Sequence, residues 1–202
     1  MATEQRLGFE WAYREGRPPW DIGRPQPAVV GLADAGVVHG EVLDAGCGTG
    51  ENALFLASRG LAITGIDAAP TAIARARRKA LERSLTARFE VADALDLAAM
   101  DRTFDTIVDC GLFHTFGDDE RLRYVQSLRT ALRPNGRYAM LCFSNEQPGT
   151  MGPRRISQPE IRAAFPATGW SVDSIIATRF ATLLPMDGED EPRAWLALLT
   201  RL

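Results

Sequence analysis

From Glu41 onward the chain alternates short branched, apolar runs with longer amphipathic stretches, the pattern of a parallel sheet covered on both faces by helices. Strands are predicted at 42–45, 62–66, 88–91, 104–109 and 137–143. Helices are predicted at 51–59, where Gly60 suits a left-handed C-terminal cap, at 70–84 and at 118–132. The last of these carries acidic residues in its first turn, and Arg133-Pro134-Asn135-Gly136 reads as its stop followed by a turn. After a polar loop at 144–155, Ser157 can cap a short helix through Phe165 with Pro159 in its first turn. Two final strands, 171–180 and 194–200, are separated by a short connection holding Pro185, Gly188 and Pro192, so they can pair as an antiparallel hairpin.

Ahead of the sheet, residues 4–15 read as a short helix with Leu7, Trp11 and Tyr13 on one side, and Pro27 can start a second helix over 27–36. The intervening Arg17-Pro18-Pro19-Trp20-Asp21-Ile22-Gly23-Arg24-Pro25-Gln26-Pro27 is too aromatic for a linker and reads as a fixed loop. With 202 residues, 46% of them hydrophobic, the chain can bury one substantial core and is short for two, so a single domain over 1–202 is expected. Its parts are a front segment at 1–36, a core at 41–145 and a closing region at 146–202.

The net charge of −3 and the lack of a clustered basic stripe disfavour a nucleic-acid partner. Arg75, Arg77, Arg78, Lys79 and Arg83 fall in a helical pattern as a solvated face. Cys47, Cys110 and Cys142 lie far apart, and two of them end apolar runs, which suits buried thiols and a reducing cytoplasm. Residues 1–20 lack an apolar stretch, so neither a signal peptide nor a membrane span is expected. Two distant histidines and no closely spaced cysteines leave no metal-ligand spacing. Ser84, Ser127 and Ser144 sit outside any nucleophile-elbow pattern, which leaves a hydrolase unsupported.

Candidate chemistry gathers at the strand ends. Val42-Leu43-Asp44-Ala45-Gly46-Cys47-Gly48-Thr49-Gly50 turns a strand directly into a helix, whose free N–H groups and glycine backbone invite a ligand. A dinucleotide site would space its glycines Gly-x-Gly-x-x-Gly; here the spacing is Gly-x-Gly-x-Gly after Asp44, which favours S-adenosylmethionine (SAM) over NAD. Asp67 ends the second strand about twenty residues on, where a carboxylate can hold both ribose hydroxyls or cap the helix at Pro70. Asp93 follows the third strand, where it can accept adenine amino hydrogens while the Ala94 N–H meets a ring nitrogen, or serve as a plain loop carboxylate. Asp109 and Cys110 end the fourth strand beside the first, at the topological switch point.

These strand ends, with Leu132-Arg133-Pro134-Asn135-Gly136 before the fifth strand, resemble class I SAM-dependent methyltransferases over about residues 41–145. The 17–27 segment, Asp105–Asp109 and Leu112-Phe113-His114 are similar to the mycobacterial heterocyclic-toxin methyltransferase group, itself similar to thiopurine and halide/thiol methyltransferases. The resemblance implies an α/β Rossmann-like sheet of seven strands in the order 3-2-1-4-5-7-6, with strand 7 antiparallel. It implies a cofactor site of Asp44, Gly46, Cys47, Gly48, Asp67, Ala68, Asp93, Ala94, Asp109 and Cys110, closed by Tyr13 and Trp20. S-adenosylhomocysteine would be the product.

Methyl transfer from a sulfonium is an in-line displacement that needs alignment and desolvation more than a dedicated base. Trp20 and Phe113 are candidate aromatic walls of the acceptor pocket. His114 is a candidate proton acceptor beside them, against the alternative that it hydrogen-bonds the loop. The expected reaction is methylation of an O or N atom of a small aromatic or heterocyclic molecule by a monomer or homodimer. An S-methyltransferase of thiols, thiopurines or halide is the alternative within the class, and a non-catalytic SAM-binding sensor or partner subunit the alternative outside it.

Overall fold

The computed structural model describes residues 3–202, with side chains from Leu7 onward. Seven strands form one sheet in the order β3-β2-β1-β4-β5-β7-β6. They are β1 (Glu41–Ala45), β2 (Ala62–Asp67), β3 (Arg88–Val91), β4 (Phe104–Cys110), β5 (Leu132–Phe143), β6 (Trp170–Arg179) and β7 (Arg193–Arg201). The first five run parallel, and β7 is inserted antiparallel between β5 and β6. That is the topology expected from the sequence.

Two apolar layers sandwich the sheet. On one face, α2 (Pro27–Asp34), α3 (Glu51–Ser58) and α4 (Pro70–Glu82) send Val29, Leu54 and Ile73 against Val42 and Val108. On the other, α5 (Asp118–Ala131) and α6 (Gln158–Ala164) send Tyr124, Leu128 and Ile161 against Leu43 and Ile107. Alternate residues of β1 and β4 thus feed opposite cores, and each fully buried aliphatic side chain contributes about 1.5–3 kcal/mol relative to exposure. Because the connections after β1 and β4 leave to opposite faces, a crevice opens between their carboxyl ends.

Some local expectations shift. Strand β5 starts at Leu132, directly after α5, and the anticipated turn at 133–136 is absorbed as a register break against β4. Asn135 takes the left-handed conformation there (φ 62°), one that asparagine tolerates. A 3₁₀ segment at Ala94–Met100 and a second at Phe113–Thr115 have no periodic signal in the sequence. Ser157 caps α6 as expected, its hydroxyl accepting from the Glu160 N–H while Glu160 reaches back to the Ser157 N–H.

The front helix α1 (Thr3–Glu15) buries Tyr13 and leaves Leu7 and Trp11 in solvent, so the expected grouping of all three on one side does not hold. Its seat is α4: Glu10 accepts from the Thr71 N–H (3.0 Å) and hydroxyl (2.6 Å), and Arg75 donates to the carbonyls of Tyr13 and Gly16. Among the described residues no helix is long and apolar enough to cross a membrane, and no cluster of His, Cys, Asp or Glu could hold a metal ion. The three cysteines are free thiols, with Cys47 and Cys142 buried.

Candidate active site

A cavity of about 670 Å³ opens at the carboxyl ends of β1, β2 and β4, within the size range of small-molecule sites. Its floor is the turn after β1. Gly48 and Gly50 adopt φ of 53° and 86°, and a Cβ on Gly48 would stand 2.7 Å from the Tyr13 hydroxyl, so the front helix can close on the turn only over bare backbone.

Asp67, at the end of β2, lines the cavity and staples its floor. One carboxylate oxygen accepts from the Gly48 N–H (2.9 Å) and the other from the Ala69 N–H (2.8 Å). Burial pushes its pKa up, and the backbone donors Ala69, Gly48 and Ala68 oppose that shift. Ala69, rather than Asp67, holds the N-cap position of α4. Asp67 instead joins the turn to the helix start and keeps lone pairs for a ligand.

Ala68 lines the cavity beside it, as do Ala94, Gly46, Cys47 and Cys110. Asp93 departs from expectation: its carboxylate caps the 3₁₀ segment by accepting from the Leu95 N–H (3.0 Å), and its neighbours Ala92 and Ala94 form the cavity wall.

Asp44 and Asp109 depart from it as well, since both lie beneath the wall and not on it. Asp109 is held by four donors: the N–H groups of Leu112 (2.8 Å) and Phe113 (3.3 Å) and the hydroxyls of Tyr124 (2.9 Å) and Tyr138 (2.8 Å). Burial still raises its pKa to about 6. Asp44 has no full hydrogen-bond partner among the described residues. Burial first, and then the Asp109 charge, raise its pKa to about 7, with only the Ala53 N–H favouring the ionised form. A buried, unpaired carboxylate under the floor invites a cation above it.

The roof is the front segment. Trp20 donates its indole N–H to the Tyr13 hydroxyl (2.9 Å), and its ring meets Tyr13 and Phe9 edge-on. Gln26 fixes this loop, a role with no local signal in the sequence. Its side chain donates to the Ala181 carbonyl (2.8 Å) and accepts from the Ala181 N–H (3.0 Å), while its own N–H donates to Asn52 (2.9 Å). The Leu183 N–H adds a bond to the Pro19 carbonyl (2.8 Å). Residues 155 or more positions apart are thereby locked over one cavity.

The acceptor half is aromatic, but Phe113 is not part of it. That ring is fully buried below the sheet, stacked on Phe165 at 5.8 Å and capped by the Arg121 guanidinium, because the tight 3₁₀ turn points it inward. Phe143 and Phe180 supply the wall instead, packed around His114 at 4.8 and 6.0 Å. His114 lines the cavity, and its Nδ1 accepts from the Phe143 N–H (2.9 Å). Burial, helped by the nearby Arg155 charge, lowers its pKa to about 3, so the ring is neutral at physiological pH. A neutral ring with its acceptor nitrogen engaged does not fit the proton-acceptor role considered from the sequence.

A family model for a methyltransferase domain matches residues 42–136. The chain is 43% identical over 181 residues to a 2-heptyl-1-hydroxyquinolin-4(1H)-one methyltransferase of Mycobacteroides abscessus, covering 85% of this chain and 79% of that protein. The chain belongs to the class I SAM-dependent methyltransferases.

The methyltransferase is also 27% identical over 198 residues to a probable thiol methyltransferase of Arabidopsis thaliana, covering 96% of this chain and 87% of the relative. A solved structure described as "Conversion of a Disulfide Bond into a Thioacetal Group during Echinomycin Biosynthesis" superposes with a TM-score of 0.89 at 41% identity, covering 98% of this chain and 92% of that one. Its cofactor is SAM, and the residues present fit that group: an orphaned carboxylate beneath the floor suits a cation, bare glycine backbone suits close approach, and Asp67 suits a diol. The enzyme is thus a SAM-dependent methyltransferase.

Proposed function

We propose that the enzyme methylates an oxygen or nitrogen atom of a small aromatic or heteroaromatic compound. The observation that carries this reading is the acceptor half of the cavity, where His114 packs between Phe143 and Phe180 with no paired acid and base beside it. Flat rings fit such a wall, and the quinolone named for the Mycobacteroides relative is of that class.

When bound, SAM supplies a methyl group already activated on a sulfonium. The chain's residues do the rest. Of the residues that line the cavity, Asp67 would hold the ribose hydroxyls, Ala92 and Ala94 would flank the adenine, and the backbone from Gly46 to Gly48 and at Cys110 would line the methionine end. Asp44 offsets positive charge from below, and Trp20 and Tyr13 exclude water from above. Alignment and desolvation in such a site can replace a proton-abstracting residue for acceptors that ionise near neutral pH.

The test is turnover of SAM to S-adenosylhomocysteine with a panel of hydroxyquinolines, aminoheteroarenes, thiols and thiocyanate. Preference for the heteroarenes supports the proposal. Preference for thiols would replace it with S-methylation, the second reading, which the thiol methyltransferase relative favours. Tight SAM binding without turnover on any acceptor would identify a sensor module.

A further inference from the structure

We infer that His114 is a specificity-determining residue that offers a fixed Nε2–H to an acceptor oxygen arriving as an anion, and that it takes no proton from it. The inference rests on the methyl-transfer reading above and narrows its acceptors to ionised hydroxy-heteroarenes.

The backbone fixes the tautomer. The Phe143 N–H can only donate, so Nδ1, 2.9 Å away, carries no proton and the neutral ring bears its proton on Nε2. Turning the ring over would set a carbon against that N–H, so one bond settles both tautomer and orientation. Protonating Nδ1 would oppose two N–H groups in a buried place. The ring therefore has no lone pair to give a substrate.

Nε2–H is unpartnered among the described residues, and the backbone leaves it open. Gly111, at φ 87° on the same cavity wall, would place a Cβ 3.4 Å from Nε2 if it had one. Phe143 and Phe180 hold the ring from its faces. The charge that bears on His114 is Arg155, which stacks on Phe143 and pairs with Asp187 at 3.3 Å. Arg154 lines the cavity too but is engaged by Asp118 and Glu160, at 2.6 and 2.7 Å. Cys110 and Cys142 are neutral thiols, their pKa values raised by burial.

The N–H donor stabilises an oxyanion more than its conjugate acid, and so offsets part of the desolvation that burial imposes on the anion. The acceptor loses its proton to water before entering. Its oxygen lone pair then forms the O–CH₃ bond as the S–CH₃ bond breaks with its electron pair passing to sulfur, and no group of the enzyme gains a proton.

Two measurements test this on the complex with S-adenosylhomocysteine. In ¹⁵N-histidine spectra, His114 should show a bare Nδ1 and a protonated Nε2 unchanged between about pH 5 and 9. In spectrophotometric titrations, 4-nitrophenol bound to the wild type should have a pKa lowered relative to the same phenol bound in a site without the donor. His114→Phe should remove that lowering and weaken anion binding by about tenfold to a hundredfold, the effect of losing a charge-assisted bond. His114→Gln, which keeps a donor, should restore part of both, and S-adenosylhomocysteine should bind all three proteins alike. A bound-nitrophenol pKa that is no lower in the wild type than in His114→Phe, or an imidazolium signal, overturns the role of His114 alone. No nitrophenol binding to a complex that holds S-adenosylhomocysteine overturns it together with the aromatic-acceptor reading.

Discussion

Asp44 and Asp109 sit one register step apart on the paired strands β1 and β4, directed to opposite faces of the sheet, and Asp109 has four close donors where Asp44 has only the weaker help of the Ala53 N–H. Four hydrogen bonds make Asp109 a brace between β4, β5 and α5, while Asp44 stays a strained group under the cofactor floor. The asymmetry makes Asp44 the one to test for a role in cofactor binding.

A pH dependence follows from Asp44. Its folded pKa of about 7 lies above the usual value of 3.8, so the stability it contributes is fully present below pH 3.8 and is lost as pH rises through 7. Asp44→Asn should therefore stabilise the cofactor-free protein at pH 8 by roughly 1–3 kcal/mol in denaturant titrations. A bound cation favours the ionised form, so SAM affinity in the wild type should fall as pH drops below about 7, and the Asn variant should bind weakly at every pH. Calorimetry across that range checks both, and a flat wild-type profile would count against the cation role.

Asp67→Ala removes a charged acceptor that both staples Gly48 and faces the cavity. SAM affinity should fall by about 1.5–3 kcal/mol, the cost of losing a hydrogen-bonded charged partner. Unchanged affinity in isothermal titration would move the ribose site elsewhere.

Trp20→Ala opens the roof without touching the core, since Trp20 is 40% exposed and its indole N–H bonds the Tyr13 hydroxyl. Single-turnover rates should drop about tenfold or more through admitted water and loosened geometry, with a smaller change in Tm. A wild-type rate would show that the lid is dispensable.

Gln26→Ala leaves an N–H and a carbonyl of Ala181 unpaired in a buried place. Unfolding free energy should fall by about 2–4 kcal/mol, and SAM affinity should fall with it because the front loop loses its anchor. Phe113→Ala, by contrast, should cost about 3–5 kcal/mol of stability as a core cavity while leaving acceptor preference unchanged. A shifted acceptor preference in Phe113→Ala would contradict the inward placement of Phe113.

The alternation of strands and helices and the glycine turn between β1 and α3 were legible in the sequence because they rest on local signals, and the family resemblance added the sheet order; the structure brings Asp67, Tyr13 and Trp20, singled out in the sequence, to one cavity. The sequence could not decide which way a side chain leaves a tight turn, so Phe113 was expected in the pocket and lies in the core, while Phe143 and Phe180 were missed. It placed Asp44, Asp93 and Asp109 at strand ends, but did not decide how each is satisfied: Asp93 by the Leu95 N–H, Asp109 by local backbone N–H groups and the distant Tyr124 and Tyr138, and Asp44 only weakly by the Ala53 N–H. Gln26 reaches Ala181 and Phe143 disarms His114 across separations that no local pattern records. Backbone periodicity is written within a few residues, whereas the direction of a hydrogen bond is settled only when distant segments are packed together.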